Sequence, residues 1–396
     1  MKDLPQVRID ERAFHRVSLG YPWIFRSEII NAKESAQTEA GGIVDFVRDK
    51  GDFIARGFLN PKTQLMGRVL TRTPSDKIDG KFIQHRLQQC LHYRDNLYGS
   101  PFYRLVHAES DGLPGLIIDR YGDVVVVQAN TAGMEKMLPQ ISEALTALIK
   151  PRAVILRNDT GAREHEGLAE EVKISSGKLD GFVKITENGV SFNVDVMEGQ
   201  KTGWFYDQRD NRAWVASLAK DKSVVDVFCH TGGFGVTALA KGAASATFID
   251  SSEKALQQTQ KNAELNGVEK KTTVIHDKAF EAMERLRDQA KKFGVVVVDP
   301  PAFIKTRKDM NPGMKGYQKL AKLAAPLVEK GGFLFFASCS HHASAQELLE
   351  AIVEPLAKTG RTFQLVKTAG AGADHPVHPA LPETGYLKAL TFRFLD

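Results

Sequence analysis

The second half of the chain alternates short apolar runs with longer runs of helical periodicity. Strands that alternate with helices are typical of a parallel sheet, because each helix carries the chain back before the next strand starts. We therefore predict an α/β fold with a Rossmann-like parallel sheet. The last two apolar segments, 362–368 and 386–394, predict an antiparallel hairpin at one edge. The predicted strands are 223–228, 245–250, 272–276, 295–299 and 333–338, and the predicted helices are 233–241, 253–266, 279–292 and 316–330.

The first 190 residues show a different pattern. Up to residue 75, short strand-like runs alternate with turn sequences such as DKGD and NPKT, which predicts a small antiparallel β-barrel unit. From about residue 76, helical and β patterns are mixed, which predicts a central α+β domain. Cys90 lies on the apolar face of the first helix there and is expected to pack in the core. The predicted domains are 1–75, 76–190 and 191–396, and the runs behind the first two are 42–47, 53–59, 65–71, 81–98, 115–131, 135–149 and 153–159.

Composition limits the class of protein and its partners. The three cysteines, Cys90, Cys229 and Cys339, form no CxxC pair, so neither a disulfide framework nor a metal site is indicated. The N-terminus lacks the apolar core of a signal peptide, and no apolar run is long enough to span a bilayer. We therefore predict a cytoplasmic protein with no membrane partner and no metal. The net charge of +5 permits a polyanionic partner without requiring one.

A glycine-rich turn follows the first predicted strand of the parallel sheet. Gly232, Gly233 and Gly235 allow backbone N–H groups and a helix N-terminus to approach a ligand closely. Their GGxG spacing differs from the GxGxxG that holds a dinucleotide, so a nicotinamide cofactor is disfavoured. Asp250 and Asp277 end or follow the next two strands, where carboxylates can bind a ribose hydroxyl or an adenine amino group. Together these strand ends favour a nucleoside without a phosphate chain, namely S-adenosylmethionine.

Four motifs, in their order along the chain, resemble those of a known family. They are KTGWFYDQRDNR at 201–212, DVFCHTGGFGV at 226–236, DPPAF at 299–303 and SCS at 338–340. Over its whole length the chain resembles the bacterial 23S ribosomal RNA cytosine-5 methyltransferase I family. The sequences GYPWIF and IARGFLNP resemble that family's PUA domain. The resemblance implies a C-terminal class I methyltransferase fold, preceded by a PUA-like RNA-binding domain and a central RNA-binding domain.

The resemblance also implies which residues surround the methyl donor. The chain departs from the family pattern at Cys229 and His230, where Ser and an aromatic residue are more usual, and at Ala302, where Lys is more usual. These departures concern the shape of the donor pocket and the identity of the target nucleotide. The residues implied to bind S-adenosylmethionine are Gln208, Arg209, Asp226, Phe228, His230, Thr231, Gly232, Gly233, Asp250, Ser251, Asp277, Asp299 and Pro300.

Cys339 is the candidate catalytic nucleophile. Carbon 5 of cytosine is a poor nucleophile until a thiolate adds to carbon 6, so its methylation requires a cysteine beside the methyl donor. Cys339 follows the fifth predicted strand, at the same sheet edge as Asp250 and Asp299. Asp299 is predicted to be catalytic as well, through a hydrogen bond to N3 or the exocyclic amine of the base. Cys229 is the competing cysteine, although its place in the glycine turn favours packing or contact with the donor.

A cationic segment directly follows the DPPAF motif. Between 301 and 322, six Lys or Arg residues face one acid, Asp309. The segment can hold RNA phosphates beside a base that is extruded or already unpaired. This segment and His341 are also candidates for lowering the pKa of Cys339 below the value of about 8.5 for a free thiol. The predicted substrate-binding residues are Pro301, Phe303, Lys305, Arg307, Lys308 and Lys315.

A second contact with RNA is predicted near the N-terminus. The segment 15–29 interleaves cationic and aromatic side chains, a combination that suits base stacking and phosphate contacts. Trp23 and Phe25 in this segment are equally suited to forming the core of a small barrel.

Two other functions remain open at this point. The DPPAF motif also resembles the (D/N/S)PP(Y/F) loop that holds an exocyclic amine, so N-methylation of nucleic acid without a cysteine is one alternative. A non-catalytic RNA-binding factor that has kept a methyltransferase fold is the other. The oligomeric state is also open, with a homodimer as one option.

Overall fold

The computed structural model of the protein describes residues 4–396. The first three residues of the predicted 1–75 domain lie outside the described residues. The chain divides into two compact units, and each is formed from more than one segment of the sequence. The first unit comprises the residues up to Val183 with Val194–Tyr206 and Ala373–Thr384, and the second comprises Lys184–Asn193, Asp207–Gly372 and Gly385–Asp396.

The N-terminal sheet of the first unit is small and mostly antiparallel. Its strands are β1 (Gln6–Ile9), β2 (Trp23–Ile24), β3 (Gly42–Arg48), β4 (Phe53–Leu59) and β5 (Gly67–Thr71), in the order β1–β3–β4–β5–β2. The antiparallel pairing of β3 with β4 and of β4 with β5 was predicted, whereas β1 joins β3 in parallel. Two helices, α1 (Glu11–Ser18) and α2 (Ala32–Ser35), accompany the sheet.

The central sheet of the first unit also has five strands. Along the chain they are β6 to β10, whose ranges are given below, and in the sheet they run in the order β10–β9–β8–β7–β6. Helix α3 (Gly80–Tyr98) packs against β6. The prediction that Cys90 packs in the core is confirmed, since it lies in one apolar cluster with Ile83 and Leu87 of the same helix. The remaining elements are β6 (Phe102–His107), β7 (Leu116–Tyr121), β8 (Val124–Ala129), β9 (Ala153–Asn158), β10 (Glu171–Gly177), α4 (Ala132–Lys136), α5 (Leu138–Ile149) and α6 (Gly161–Glu166).

The second unit is built around a seven-stranded sheet. Its strands are β13 (Ser223–Val227), β14 (Ser245–Asp250), β15 (Thr272–His276), β16 (Phe293–Val298), β17 (Val328–Ser338), β18 (Phe363–Ala369) and β19 (Lys388–Phe394). The order is β15–β14–β13–β16–β17–β19–β18, and the first five strands of this order are parallel. β19 runs antiparallel to both of its neighbours, so the predicted α/β sheet with an antiparallel hairpin at one edge is confirmed.

Helices connect the parallel strands of this sheet, as the alternation in the sequence predicts. A separate two-stranded sheet, β11 (Val183–Glu187) with β12 (Val190–Val194), comes earlier along the chain. Fully buried Val225, Val227, Val296 and Val298 lie in the core of the seven-stranded sheet together with side chains from the helices. The helices are α7 (Arg209–Leu218), α8 (Gly233–Ala240), α9 (Glu253–Leu265), α10 (Ala279–Asp288), α11 (Met310–Ala324) and α12 (Ala345–Ala357).

Two predicted helices differ from the observed ones by more than one residue in their bounds. The helix predicted at 316–330 is α11, which begins earlier, at Met310, ends at Ala324 and is followed by a short 3₁₀ turn that contains Pro326. Proline cannot continue a helical hydrogen-bond ladder, and β17 begins two residues later, at Val328. The helix predicted at 279–292 ends at Asp288, because Ala290 adopts a left-handed backbone with φ of 52°. Because α11 ends early, β17 begins at Val328, whereas the strand predicted there begins at residue 333.

This topology gathers the motifs of the second unit at one edge of the sheet. The carboxyl ends of parallel strands lie at the same edge, where α/β proteins bind their ligands. β16 pairs with β13 on one side and with β17 on the other. The loops that follow these three strands carry the glycine turn, the DPPAF motif and Cys339.

Candidate active site

The turn after β13 has an unusual backbone. Phe228 and His230 have φ of 64° and 50°, a left-handed region that residues with a Cβ rarely adopt, and Gly232 follows with φ of 84°. The neighbouring strand holds the turn in place: Cys229 N–H donates to the carbonyl of Ile249, and His230 N–H donates to Asp250 Oδ2 at 2.9 Å. Strained residues persist only where their surroundings hold them, and they cluster at ligand sites.

Two glycines of this turn are required by close packing. A Cβ on Gly232 would lie 2.7 Å from Thr259 Cγ2, and a Cβ on Gly235 would lie 2.3 Å from the ring of Phe248. Thr259 is fully buried and therefore cannot move aside. The backbone of the turn thus lies directly on α9 and β14, and Gly233 begins helix α8.

Asp226 is a buried carboxylate beneath this turn. Its Oδ2 accepts the N–H of Gly235 at 2.9 Å, whereas its buried Oδ1 has no hydrogen-bond partner among the described residues. Burial raises the pKa of Asp226 to about 7; the hydrogen bond from Gly235 opposes this rise, and the negative charges of Asp299 and Asp250 add to it. The three predicted carboxylates Asp226, Asp250 and Asp299 are therefore close enough to interact electrostatically.

The predicted residues at the next strand ends differ in their surroundings. Asp250 contacts the glycine turn through His230 and also accepts the N–H of Ser252 at 2.9 Å. The exposed residue Ser251 directly follows β14. Asp277 lies beside Asp250 through a backbone hydrogen bond of 3.1 Å, but its carboxylate pairs with Arg285, which lowers the pKa of Asp277. The backbone of Asp277 therefore joins the strand-end cluster while its side chain is paired with α10.

Gln208 and Asp299 are brought together, while Arg209 lies near a different carboxylate. Gln208 Nε2 donates to Asp299 Oδ2 at 3.0 Å, and Asn211 holds the other end of the Gln208 amide at 2.6 Å. Arg209 is buried with its Nε 3.9 Å from Glu187, a carboxylate that also binds another arginine of α7. Gln208 therefore contacts Asp299, another residue that is predicted to line the donor pocket, and Arg209 takes part in a buried ion cluster.

The end of β17 is anchored by hydroxyl groups. Ser338 Oγ donates to Tyr317 Oη at 2.8 Å, and Ser340 Oγ lies 2.7 Å from the same oxygen. Ser340 Oγ also accepts the N–H of Ile304, which ties the DPPAF loop to this strand end. Both serines are fully buried, whereas Cys339 between them is partly exposed. The two serines therefore fix the backbone on each side of a partly exposed cysteine.

The other two cysteines are unsuited to nucleophilic chemistry. Cys229 is buried within the glycine turn, and burial raises its pKa well above the usual value. Burial in the central core also raises the pKa of Cys90, to about 12. The thiolate is the reactive form of cysteine, so both thiols are expected to be inert.

Lys388 was not identified from the sequence as a residue of this region. It is 7% exposed, it lies opposite Ser338 in the pairing of β17 with β19, and its Nζ donates to the carbonyl oxygen of Ser340 at 2.5 Å. Burial lowers the pKa of Lys388, and the interactions with Cys339 and Glu347 oppose this lowering. A single charged residue in the run LKALTF was the signal that the sequence offered.

The segment that follows Cys339 makes further contacts, of which the sequence indicated only one partner. The ring of His341 stacks on that of Tyr386, with centroids 5.1 Å apart, and Tyr386 Oη donates to the buried Asp207 at 2.5 Å. His341 was proposed as a group that ionises Cys339, whereas Tyr386 and Asp207 were not singled out. His341 follows Cys339 closely in the chain, and Tyr386 precedes Lys388. The stack therefore connects the segment that carries Cys339 with the segment that carries Lys388.

The DPPAF loop is partly packed and partly exposed. Pro300 is buried, Pro301 is exposed, and Phe303 packs against the ring of Tyr317 at a centroid distance of 5.0 Å. The predicted phosphate-binding cations are exposed side chains of this loop and the following helix: Lys305, Arg307, Lys308 and Lys315. The backbone between them is shaped by Thr306, whose N–H and hydroxyl both donate to Asp309.

The aromatic and cationic side chains near the N-terminus largely contact one another. The guanidinium of Arg16 lies 4.3 Å from the centroid of the Tyr21 ring and pairs with Glu28. Trp23 Nε1 donates to Glu109 at 2.9 Å. Arg16 and Trp23 therefore have internal partners in the first unit, which makes this segment at least partly structural.

Comparison with known proteins identifies the family of this chain. Residues 163–393 match the model of S-adenosylmethionine-dependent methyltransferases, and residues 7–72 match a PUA-like domain. The ribosomal RNA large subunit methyltransferase I of Pseudoalteromonas atlantica is 36% identical over 379 residues, which cover 95% of each chain. That of Shigella boydii is 34% identical over 380 residues, covering 95% of this chain and 96% of the relative.

The chain belongs to the ribosomal RNA large subunit methyltransferase I family. The solved structure of SMU.776, a protein assigned as a methyltransferase and crystallised with SAH, superposes with a TM-score of 0.84 at 19% identity, over 98% of this chain and all of the other. This likeness supports the class I methyltransferase fold with an N-terminal PUA-like domain.

Membership of this family identifies S-adenosylmethionine as the cofactor. The residues present fit such a ligand: the strained turn at 228–232 lies at the carboxyl edge of the sheet with Phe228, His230 and Thr231 partly exposed, and Asp226 beneath it keeps an unpartnered buried oxygen. Among residues 4–396, no group of three His, Cys, Asp or Glu side chains is placed to hold a metal ion. Within the same part of the chain, no helix combines the length and the apolar character needed to cross a membrane.

Proposed function

We propose that this protein forms 5-methylcytosine in 23S ribosomal RNA and that Cys339 is the nucleophile. The curated relatives are named for the large-subunit ribosomal RNA, and the chain matches them along 95% of its length. Ribosomal RNA in the cytoplasm is therefore the proposed substrate. The choice of carbon 5 of cytosine rests on the chemistry that a cysteine at this position makes available.

One observation carries the proposal most directly: a partly exposed thiol lies at the sheet edge where the methyl-donor family binds its cofactor. Cys339 directly follows β17, and β17 pairs with β16, which leads into Asp299. The other two thiols are buried, and burial raises the pKa of each. Cys339 is thus the cysteine that remains suited to attack a base.

The Cys339 thiolate begins the proposed reaction by adding to carbon 6 of cytosine. The sulfur–carbon bond forms and the electron pair of the C5=C6 double bond moves to carbon 5, which becomes nucleophilic. S-adenosylmethionine, when bound, would supply the electrophilic methyl group to carbon 5, and the bond from this methyl group to the sulfonium sulfur would break to release S-adenosylhomocysteine. The proton on carbon 5 then leaves to water, the C5=C6 double bond re-forms, and the sulfur leaves carbon 6 with its electron pair. Cys339 is thereby regenerated as a thiolate.

Asp299 is proposed to orient the base and to stabilise the adduct. A carboxyl group beside the ring can hydrogen-bond N3 or the exocyclic amine as charge develops there. Gln208 holds one oxygen of Asp299 through a hydrogen bond of 3.0 Å. Asn211 in turn holds Gln208. This chain of hydrogen bonds limits the positions that the Asp299 carboxylate can adopt.

The glycine turn and the strand ends beside it are proposed to bind the methyl donor. Thr231 and Gly233 provide backbone N–H groups and Asp250 provides a carboxylate at the edge of the sheet, while Gly232, whose N–H donates to the carbonyl of Cys229, shapes the turn. Further donor-site residues from the sequence remain predictions: Gln208, Arg209, Asp226, Phe228, His230, Ser251, Asp277, Asp299 and Pro300. The proposed RNA-binding side chains are Pro301, Phe303, Lys305, Arg307, Lys308 and Lys315, most of which are exposed.

Replacement of Cys339 tests the proposed function. Cys339→Ala is expected to abolish methyl transfer to 23S ribosomal RNA, while Cys90→Ala, which removes a buried thiol from the core of the first unit, is the matched control and is expected to retain activity. Transcripts that carry tritium on carbon 5 of cytosine are expected to release the label with the wild type. Bisulfite sequencing of ribosomal RNA from cells with and without the protein is expected to show one position that loses protection.

Three outcomes of these experiments would contradict the proposal. Full activity of Cys339→Ala without tritium release would instead favour exocyclic-amine methylation through the DPPAF loop. An absence of heat on calorimetric titration with S-adenosylmethionine would favour a non-catalytic RNA-binding factor. Methylation of a nucleotide other than cytosine would exclude the cytosine assignment directly.

A further inference from the structure

Lys388 is a cation buried at the carboxyl end of β17. It is 7% exposed and lies in β19, directly opposite Ser338. Lysine is almost never this buried without a partner, since removing an ammonium group from water is costly unless other charges and acceptors compensate for the loss. The groups around Lys388 therefore indicate what its charge does.

One of those groups is a backbone carbonyl next to the proposed nucleophile. Lys388 Nζ donates to the carbonyl oxygen of Ser340 at 2.5 Å, while an ammonium group has three N–H donors in all. Ser340 is the residue after Cys339. The bond thus holds the Lys388 charge against the segment that carries the thiol, and Lys388 interacts electrostatically with Cys339.

The opposite anchor of this segment is neutral. Tyr317 binds the hydroxyls of both serines that flank Cys339, and burial raises the pKa of Tyr317, so its hydroxyl keeps its proton. The segment is therefore held between an uncharged phenol from α11 and a positive charge from β19.

We propose that the buried ammonium group of Lys388 stabilises the thiolate of Cys339 and thereby makes this cysteine reactive. The assignment of Cys339 as nucleophile rests on the proposed function. The Cys339 thiol gives its proton to water, and the resulting negative charge lies beside a fixed positive charge, which favours the ionised form. When the sulfur later leaves carbon 6 with its electron pair, the same ammonium group stabilises the departing thiolate.

Other titratable groups also surround this pair. Glu347 of α12 interacts with Lys388, and Asp299 follows β16, the strand that pairs with β17. Both are carboxylates, whose negative charges disfavour a nearby thiolate. His341 follows Cys339 closely and stacks on Tyr386. The positive charge of Lys388 opposes the effect of the two carboxylates and is therefore the group to test.

The test is the pH dependence of Cys339 alkylation by iodoacetamide, followed by mass spectrometry of the Cys339 peptide without RNA or methyl donor. In the wild type we expect an apparent pKa below about 8.5, the value of a free thiol. Lys388→Met is expected to raise it by about one unit, which lowers the alkylation rate near neutral pH about tenfold. Lys388→Arg, which keeps the positive charge, is expected to retain the low value.

Three results would overturn the proposal: a wild-type value at or above that of a free thiol, an unchanged profile in Lys388→Met, or equal profiles in Lys388→Arg and Lys388→Met. The wild-type measurement needs no variant, so the test still works if the methionine variant fails to fold. The assay does not depend on methyl transfer. A fully active Cys339→Ala would therefore reject the nucleophile while leaving the measured effect of Lys388 on the thiol intact.

Discussion

Gln208 and Asp299, 91 positions apart in the sequence, meet through a hydrogen bond of 3.0 Å between Nε2 and Oδ2. Gln208 immediately precedes helix α7, whereas Asp299 follows strand β16. The amide is itself held by Asn211, so the bond is part of a defined chain of donors and acceptors. Such a chain orients a carboxylate without changing its charge.

Gln208→Ala is expected to lower the rate of methyl transfer by about tenfold to a hundredfold. A hydrogen bond to a charged group contributes about 1.5–3 kcal/mol, and the loss of this bond frees Asp299 to leave the position in which we propose that it binds the base. Single-turnover methylation of 23S ribosomal RNA transcripts measures the effect. Gln128→Ala, which removes another buried amide whose Nε2 binds a backbone carbonyl, is the matched control. Equal losses in the two variants would show that Gln208 acts only through stability.

Gly232→Ala is expected to destabilise the second unit more than Gly267→Ala. Both positions have a left-handed backbone, with φ of 84° and 67°, so each substitution costs about 1–2 kcal/mol for the conformation alone. Only at Gly232 would the new Cβ also meet a buried atom, Thr259 Cγ2 at 2.7 Å. A Cβ on Gly267 would have no atom of a non-neighbouring residue within 4 Å. Urea unfolding and calorimetric titration with S-adenosylmethionine measure stability and donor binding.

The calorimetric titration separates an effect of the substitution on donor binding from its effect on stability. Gly232→Ala is expected to weaken S-adenosylmethionine binding, because the alanine displaces the turn, and Gly267→Ala is expected to bind normally. Indistinguishable stabilities and affinities of the two variants would exclude a role of the close contact with Thr259.

Asp226 is expected to make the stability of the second unit fall as pH rises. Burial raises the pKa of Asp226 from 3.8 to about 7, so between these values the folded state binds a proton that the unfolded chain has lost. This contribution to the unfolding free energy is fully present below 3.8, the pKa of Asp226 in the unfolded chain, and disappears as the pH rises past about 7, its pKa in the folded protein. The total is about 4 kcal/mol at most. Asp226→Asn removes the titrating group and is expected to flatten this dependence.

Hydrogen exchange of the β13 and β16 peptides at several pH values measures this effect within the second unit. Asparagine can still accept the N–H of Gly235, which currently binds Asp226 Oδ2 at 2.9 Å. Asp221→Asn controls for the removal of an exposed carboxylate from the same unit. A pH dependence in Asp226→Asn identical to that of the wild type would contradict the raised pKa.

The sequence was most informative where a local pattern has a local cause. The alternation of strands and helices predicted the parallel sheet and its edge hairpin, since each element has its own periodicity. It was less informative about where elements end: Pro326 stops α11 early, and the left-handed Ala290 ends α10, although both lie in runs that continue to look helical. A single residue with an unfavourable conformation outweighed the averaged pattern there.

The candidate site shows the same division. Gly232, Asp250, Asp299 and Cys339 were predicted from the sequence because each belongs to a motif at a strand end, and their roles remain proposals. Lys388 was not found, because a lone lysine in an apolar strand has no motif, and its burial appears only when β19 pairs with β17. Arg209 was predicted to border the donor pocket, which remains a prediction; its proximity to Glu187, a residue outside its own motif, appears only in the tertiary structure.

The sequence by itself determined the fold class, the family motifs and which thiol follows the fifth parallel strand, because these depend on residue types and on spacings along one segment. Only the tertiary structure decided which groups surround that thiol. Tyr317, Ser340 and Lys388 come from three separate elements and meet only through strand pairing and helix packing. Burial and electrostatic interactions depend on distances through space, which the order of residues along the chain does not specify.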